Sequence, residues 1–443
     1  MHNVPIIETV ANWGLYPKAN CTVYKPNSIE ELMDIVQNNT DIIARGNGRC
    51  YGDASLASSI VSTIALNKIE FVDEEQGIII CESGVLLSDL INVILPKGFF
   101  LPVTPGTKFI TIGGAVASNV HGKNHHREGS FCDFVQWIDL ISDDAILLRC
   151  DQENNATVFY NTCGGMGLTG IVTKVCMRLK KVANSYIQQK QIKTANLEET
   201  LTAFERFNHF TYSVAWIDCL AKGENLGRSL VLLGEHAPLT ALLAKDLQNP
   251  LAISTKLNFS IPFYFPSFSL NKYTVKLFNF LYYHKARKKE IESIIDYDSF
   301  FYPLDAIFHW NKIYGKKGFV QYQFVIPKEN GKAILKQILG RIAESGQASF
   351  LAVLKLFGKE NSYSLLNFPM EGYTLALDFK VQDSLWPLLD ELDEMVIAAG
   401  GRLYLTKDAR MQKETFHKTY PAMQAYHADR FNSLQSKRLG ITI

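Results

Sequence analysis

DIIARGNGRCYGD (residues 41–53) runs a short apolar strand directly into a loop with glycines at 46, 48 and 52. Glycine has no Cβ, so Gly46 and Gly48 can present consecutive backbone N–H groups to a diphosphate at close range. The spacing is not that of a dinucleotide-binding Rossmann turn, and no convincing helix follows it. A Walker A loop is excluded too, because no Gly-Lys-Ser/Thr follows. Upstream, SIEELMDIVQ (28–37) reads as a helix capped by Ser28, which gives the chain an α/β opening.

Two further glycine clusters lie downstream. PGTKFITIGGAVASNVHGKNHH (105–126) places Gly113 and Gly114 before a short small-residue helix whose N-terminus favours an anion. TCGGMGLTGIV (162–172) sets four glycines just ahead of a strand. Any one cluster alone is more often a structural turn, but three together shift the reading toward a large phosphate-bearing cofactor. Between them, IVSTIAL (60–66), GIIICESG (77–84), FVQWIDLISD (134–143), AILLRC (145–150) and GIVTKVCMRLKKV (170–182) read as strands. DLINVILP (89–96) reads as a helix ending near Gly98.

After about Val182 the glycine turns give way to longer elements. TLTAFERFNH (200–209), GKAILKQILGRIAES (331–345) and SLWPLLDELDEMVIAAG (384–400) have helical periodicity, whereas SVAWIDCL (213–220) and VQYQFVIP (320–327) read as strands. That alternation suggests an antiparallel sheet backed by helices, a second domain within an α+β chain.

Of the 443 residues 47% are apolar, enough for two domains sharing one site, and the formal net charge of +1 offers no global field to recruit nucleic acid. The eight cysteines (21, 50, 81, 132, 150, 163, 176 and 219) show no zinc-type spacing and read as thiols in a reducing compartment. The N-terminus, MHNVPIIETVANWG, lacks a basic n-region and an apolar h-region, so no Sec signal peptide is expected. The most apolar stretch, 257–281, is broken by Pro262, Pro266 and Lys272 and does not read as a transmembrane helix. Its aromatic residues, followed by the basic run His284 to Lys289, admit two readings: a covered loop with a solvated charge run, or a surface lying on an anionic bilayer. The expected location is the cytoplasm, with peripheral contact at the inner membrane under the second reading.

At RGNGRCYGD (45–53), LPVTPGTKFITIGGAVASNVHGKNHHREGSF (101–131), GGMGLTGIV (164–172), FYPLD (301–305), QYQFVIP (321–327), LKLFG (354–358) and GGRLYLTKDAR (400–410), the sequence resembles the vanillyl-alcohol oxidase/p-cresol methylhydroxylase flavoprotein superfamily. Within it the chain is most similar to the branch that oxidises polyprenyl-phosphoryl pentoses. The resemblance implies a two-lobed FAD-binding domain (1–182), an inserted antiparallel-sheet substrate or cap domain (183–399), and a C-terminal segment (400–443) returning to the FAD domain. Many relatives bond FAD to a histidine in an RGxGH motif. Here that position is Arg49, so non-covalent FAD is implied.

By the same resemblance, Arg45, Gly46, Asn47, Gly48, Arg49, Cys50 and Tyr51 wrap the diphosphate and isoalloxazine. Pro105, Gly106, Thr107, Thr111, Gly113, Gly114, Ser118, Asn119, His121 and Gly122 line the opposite wall, with Val172 against adenine and Tyr404 near the flavin. Trp216, Gln321, Gln323, Lys355, Lys123 and Lys407 bind substrate. The chain departs from the closest relatives at Thr374 and Ala376, where they carry Asn and Cys, and at Phe301, where they carry Tyr.

Alcohol oxidation needs a base for the hydroxyl proton while the carbinol hydrogen leaves as hydride. Lys407, His121 and Tyr51 are the catalytic candidates. For Lys407 the competing reading is an ion pair with Asp408. Gln321 and Gln323 alternate on one strand face, either into a cavity or along a solvated edge. No metal is expected: His125 and His126 lack the usual ligand spacing and could be exposed loop residues. The expected reaction is oxidation of the 2′-hydroxyl of a polyprenyl-phosphoryl-β-D-ribose-like sugar to the 2′-keto product, as the first half of an epimerisation to the arabinose form in cell-envelope synthesis. The implied partners are an NAD(P)H-dependent keto-sugar reductase and a quinone-like electron acceptor. The rivals are an aldonolactone or alditol oxidase acting on a soluble sugar and a non-catalytic flavin-binding assembly subunit.

Overall fold

Residues 4–254, 258–266, 268–360, 364–423 and 430–442 are described in the computed structural model. The chain opens with an antiparallel pair, Ile6–Ala11 and Lys18–Tyr24, that the sequence reading did not assign. Lys18–Tyr24 then runs parallel to Ser59–Ser62, which in turn pairs in parallel with Ile42–Arg45. Ser28 caps the helix Ile29–Gln37 by accepting the Glu31 N–H at 3.2 Å. The helix buries Leu32, Ile35 and Val36 on Ile42, Val61 and Phe431, so a residue from the far end of the chain completes this small core. Phe431 also forms a parallel bridge with Ile42.

A five-stranded antiparallel sheet follows, in the order Ile69–Asp73, Ile78–Glu82, Ile171–Arg178, Val135–Ile141, Leu147–Asp151. The helix Leu87–Ile94 packs Leu87, Leu90, Ile91 and Ile94 into its core, and Gly98, at φ 81°, ends the turn after it. Gly113 and Gly114 lie within the short helix Ile112–Ala117 and not ahead of it, because Thr111 accepts the Gly114 N–H and so becomes the cap.

The second half builds one eight-stranded antiparallel sheet. Its order is Glu290–Asp296, Tyr186–Thr194, Ser229–His236, Tyr212–Ile217, Ala352–Phe357, Gly372–Lys380, Phe319–Pro327, Arg402–Leu403. Tyr322, Phe324, Leu354, Leu375 and Leu377 face the helices Lys328–Ser345 and Trp386–Ala398, which return Leu335, Ile338, Leu339, Leu389 and Leu392 to the same core. Each such side chain contributes roughly 1.5–3 kcal/mol when fully buried. Arg402–Leu403 adds the last strand beside Phe324 and Val325 before the chain turns back toward the first sheet.

The strand carrying Gln321 and Gln323 is therefore an interior strand with both amides buried, which overturns the solvated-edge reading. The covered-loop reading of the aromatic segment fails as well. Lys272–Lys285 is a helix, and Phe259, Phe263, Tyr264 and Phe268 stand exposed beside it. Leu257 of that segment lies outside the described residues. His125 and His126 are likewise not exposed loop residues: both sit on the turn His125–Glu128, His125 is buried, and a His126 ring nitrogen lies 2.9 Å from the Phe210 carbonyl. Among the described residues no helix is long and apolar enough to cross a membrane.

Candidate active site

The glycine loop after Ile42–Arg45 is a cradle made of backbone. Among the described residues, the N–H groups of Gly46, Asn47, Gly48, Arg49 and Cys50 find no protein acceptor. Five consecutive unpaired donors beyond a strand suit an anion. Side chains fix the loop's shape. The Arg45 guanidinium bonds Asn12 Oδ1 (2.7 Å) and the Ala11 carbonyl, Asn47 Nδ2 reaches the Phe109 carbonyl (2.8 Å), and the Cys50 thiol lies 3.2 Å from Ser55 Oγ. At Gly46 an added Cβ would stand 2.2 Å from Thr111 Oγ1. At Gly48, φ is +60° and a Cβ would strike the Arg45 guanidinium. The Arg49 guanidinium stacks 4.0 Å from the Trp13 ring centre.

The opposite wall comes from residues 105–122. An added Cβ at Gly106 would meet nothing within 4 Å, so that flank is open. Thr107 Oγ1 accepts the Phe109 N–H, and Asn119, at φ 36°, accepts the Cys132 N–H while its amide donates to Asn367. The Ser118 carbonyl accepts the Tyr404 hydroxyl at 3.0 Å, which ties the returning C-terminal segment to this wall. Val172 is buried in the core of the five-stranded sheet, opposite Leu140.

Over the cradle stands the polar face of the eight-stranded sheet. Register sets Gln321 opposite Asp378, Gln323 opposite Ala376, Lys355 opposite Thr374 and Trp216 opposite Val353. Strand side chains alternate, so all of these point away from the helix-packed core. Gln321 Nε2 forks to the Tyr51 hydroxyl (3.2 Å) and Asp378 Oδ1 (2.5 Å), and Gln323 Nε2 forks to His121 Nε2 (3.2 Å) and Thr374 Oγ1 (3.3 Å). Lys407 Nζ lies 4.1 Å from the Tyr51 ring centre. Its neighbour Asp408 pairs with Arg438 at 2.9 Å, so the Lys407–Asp408 ion pair is not formed. His121 packs on Phe357 and Tyr404, and Tyr404 stacks on Phe368.

Two candidate substrate ligands are engaged elsewhere. Lys123 Nζ donates to the Phe300 and Phe301 carbonyls (2.5 and 3.1 Å), and Trp216 gives its indole N–H to the Phe350 carbonyl while its ring meets Tyr282.

Burial and like charge set the electrostatics. Burial, then Lys407, pulls Lys355 down to about 8; burial, then Lys355, pulls Lys123 down to about 7. Burial, with Lys355 next, holds His121 well below the usual histidine range, so its ring is neutral. Burial raises Asp378 above the ordinary carboxylate range and lowers Lys407, each partly offset by the other's charge. Asp378 Oδ2, His121 Nδ1 and the Tyr314 hydroxyl are buried without a partner among the described residues. Sequence reasoning missed Asp378. The signal was present in EGYTLALDF, where Asp378 falls two and four residues beyond Ala376 and Thr374 and so shares their face.

Residues 21–151 match an FAD binding domain family. The chain is 35% identical over 392 residues to decaprenylphosphoryl-beta-D-ribose oxidase of Mycolicibacterium smegmatis, covering 87% of this chain and 84% of that protein. It belongs to the FAD-linked oxidases of the vanillyl-alcohol oxidase/p-cresol methylhydroxylase superfamily. An uncharacterised protein of the mprA 5′ region in Streptomyces coelicolor is 31% identical over 374 residues, 81% of this chain and 100% of that one. L-Gulonolactone oxidase of Mus musculus is 24% identical over 160 residues, 35% of this chain and 36% of that enzyme. The protein is an FAD-dependent oxidoreductase. Its residues fit the cofactor: the unpaired N–H groups of 46–50 suit a diphosphate, and the partnerless His121 Nδ1 sits in the wall beside Tyr404. Among the described residues no group of three or more His, Cys, Asp or Glu could hold a metal ion.

Proposed function

We propose that this oxidoreductase converts the 2′-hydroxyl of a polyprenyl-phosphoryl-β-D-ribose-like sugar to the 2′-ketone, the first half of an epimerisation to the arabinose form. The reading is carried by one observation. Gln321, Gln323 and Lys355 share a single buried sheet face above Tyr51 and Lys407, which puts hydroxyl-binding amides, a cation for phosphate and a low-pKa amine around one space. The name of the Mycolicibacterium relative supports the sugar.

FAD, when bound, supplies the hydride acceptor. The residues of 45–51 and 105–122, with Val172 and Tyr404, hold it without a covalent link, since the guanidinium of Arg49 stands where many relatives place the bonding histidine. Lys407 Nζ takes the hydroxyl proton. A base works best when its pKa lies near the operating pH, and Lys407 is shifted toward that range while His121 is shifted away from it. Tyr51 carries the contact between Lys407 and Gln321 and so positions the base. Gln321 and Gln323 orient the sugar hydroxyls, Lys355 holds the phosphate, and Lys123 and Trp216 shape the far wall. Thr374 accepts one of the Gln323 N–H bonds and leaves the other amide atom for the sugar. A keto sugar needs a separate NAD(P)H-dependent reductase to complete the inversion, and the reduced flavin needs an acceptor of quinone type.

The test is anaerobic mixing of the purified protein with a short-chain polyprenyl-phosphoryl ribose, followed by acid precipitation. Bleaching of the visible flavin band, with yellow colour left in the supernatant, is the expected result. Bleaching only with a free aldonolactone or alditol would move the substrate to a soluble sugar. Bound flavin that no sugar reduces would leave an assembly role.

A further inference from the structure

From Leu247 through Lys289 the sequence holds seven lysines and arginines and no acidic residue. Much of this stretch forms the helix Lys272–Lys285, specified by Asn271, which accepts the N–H groups of Tyr273 and Thr274 in a capping box. One face, Val275, Asn279 and Tyr283, is buried on the protein, with Asn279 bonded to Asp218 at 2.7 Å. The opposite face of a surface helix is normally polar. Here it carries Tyr273 (72% exposed), Leu277 (60%), Phe280 (50%) and Leu281 (60%) at i, i+4, i+7 and i+8, with Phe259, Phe263 and Phe268 exposed on the preceding segment. Lys272, Lys276, Lys285, Arg287, Lys288 and Lys289 are exposed, and none pairs with a carboxylate among the described residues.

We propose that this face docks on an anionic lipid bilayer, with Leu277, Phe280 and Leu281 entering the headgroup and acyl boundary and the basic cluster meeting lipid phosphates. The charge chooses the occupant: an apolar helix face flanked by unpaired cations, on a stretch without an acidic residue between Asp246 and Glu290, complements anionic headgroups. The face also leads inward. Phe278 contacts Phe350, Phe350 stacks with Tyr314, Tyr314 stacks with Phe319 at 4.3 Å, and Phe319 meets Tyr51. A bilayer-bound protein therefore turns toward the lipid the side of the molecule from which an aromatic wall runs to the active site. Delivery of a lipid-linked sugar along that wall rests on the proposed function. The docking does not, because it is read without turnover.

The experiment is sedimentation of the full-length, flavin-loaded protein with sucrose-loaded phosphatidylcholine vesicles, with and without phosphatidylglycerol, at low and high salt. Two variants accompany it: Leu277→Ser/Phe280→Ser/Leu281→Ser and Arg287→Gln/Lys288→Gln/Lys289→Gln, with flavin content as the check on folding. The expected result is binding to the phosphatidylglycerol vesicles that weakens with salt, falls roughly a hundredfold in the charge variant and at least roughly tenfold in the apolar variant. A wild-type protein that stays in the supernatant, or flavin-loaded variants that bind as the wild type does, overturns the proposal. So does an apolar variant that dissociates a dimer while vesicle binding stays unchanged, because the face is then an interface between copies of this chain.

Discussion

The glycine cradle and the polar sheet face meet at Tyr51, yet they are built on opposite principles. The cradle presents backbone: its donors are the N–H groups of residues 46–50, and its side chains, such as Arg45 and Asn47, serve mainly to hold the loop. The sheet face presents side chains on a rigid ladder, and its backbone is consumed in strand pairing. Recognition by backbone suits a constant part of a ligand, a diphosphate, and depends on the absence of Cβ atoms. Recognition by side chains suits the variable part, and exchanges such as Thr374 or Ala376 can retune it without disturbing the fold.

Four substitutions sharpen this contrast. Lys407→Met should lower kcat for flavin reduction by roughly 10²- to 10⁴-fold, the usual worth of a general base, with flavin retained; stopped-flow reduction measures it, and an unchanged rate would move the base elsewhere. The pH profile carries the sign. Lys407 accepts a proton only when deprotonated, so wild-type kcat should rise with pH up to its lowered pKa, and the variant should lose that limb.

Lys355→Met should raise KM for a phosphorylated substrate about tenfold or more, with kcat little changed, as expected for a charge-assisted contact. In the wild type Lys355 is charged below about 8 and loses its proton as pH rises through that value, so KM should climb there, whereas the variant's KM should stay flat.

Gly46→Ala should act on the cradle alone. Its Cβ displaces the Thr111 hydroxyl that caps the helix Ile112–Ala117, and flavin affinity should fall about tenfold by equilibrium dialysis, the sum of a lost cap and a distorted nest. Equal flavin affinity would show that the loop's geometry is not what holds the cofactor. The smallest effect belongs to Asp378→Asn. Removing this charge withdraws support from protonated Lys407, so the rising limb of kcat should shift to lower pH by about one unit, with KM unmoved if Gln321 keeps its fork. A fall in kcat with no change of profile would point to a packing role.

The cradle was legible because its requirements are local. A strand running into Gly46, Gly48 and Gly52 states its purpose within nine residues, and Ser28 and Gly98 mark helix ends by chemistry that acts over one turn. The alternation of Gln321 and Gln323 was equally visible, but not whether their strand lay at an edge, because that depends on Arg402–Leu403, which joins the sheet from the end of the chain. The aromatic segment went unread as a helix because its apolar residues lie on both sides of it, and this blurs the one-sided periodicity by which a surface helix is recognised.

The sequence alone determined the family motifs, the strand-into-glycine turn that follows Ile42–Arg45 and the α+β alternation, since each rests on contacts between near neighbours. Only the tertiary structure decided that Asp378, on one strand, lies opposite Gln321 on another. The same holds for Lys407, which reaches the Tyr51 ring where its own neighbour Asp408 would have paired with it. Those pairings are set by register and by the return of the C-terminal segment, and burial then raises the Asp378 carboxyl and lowers the Lys407 amine from their ordinary ranges.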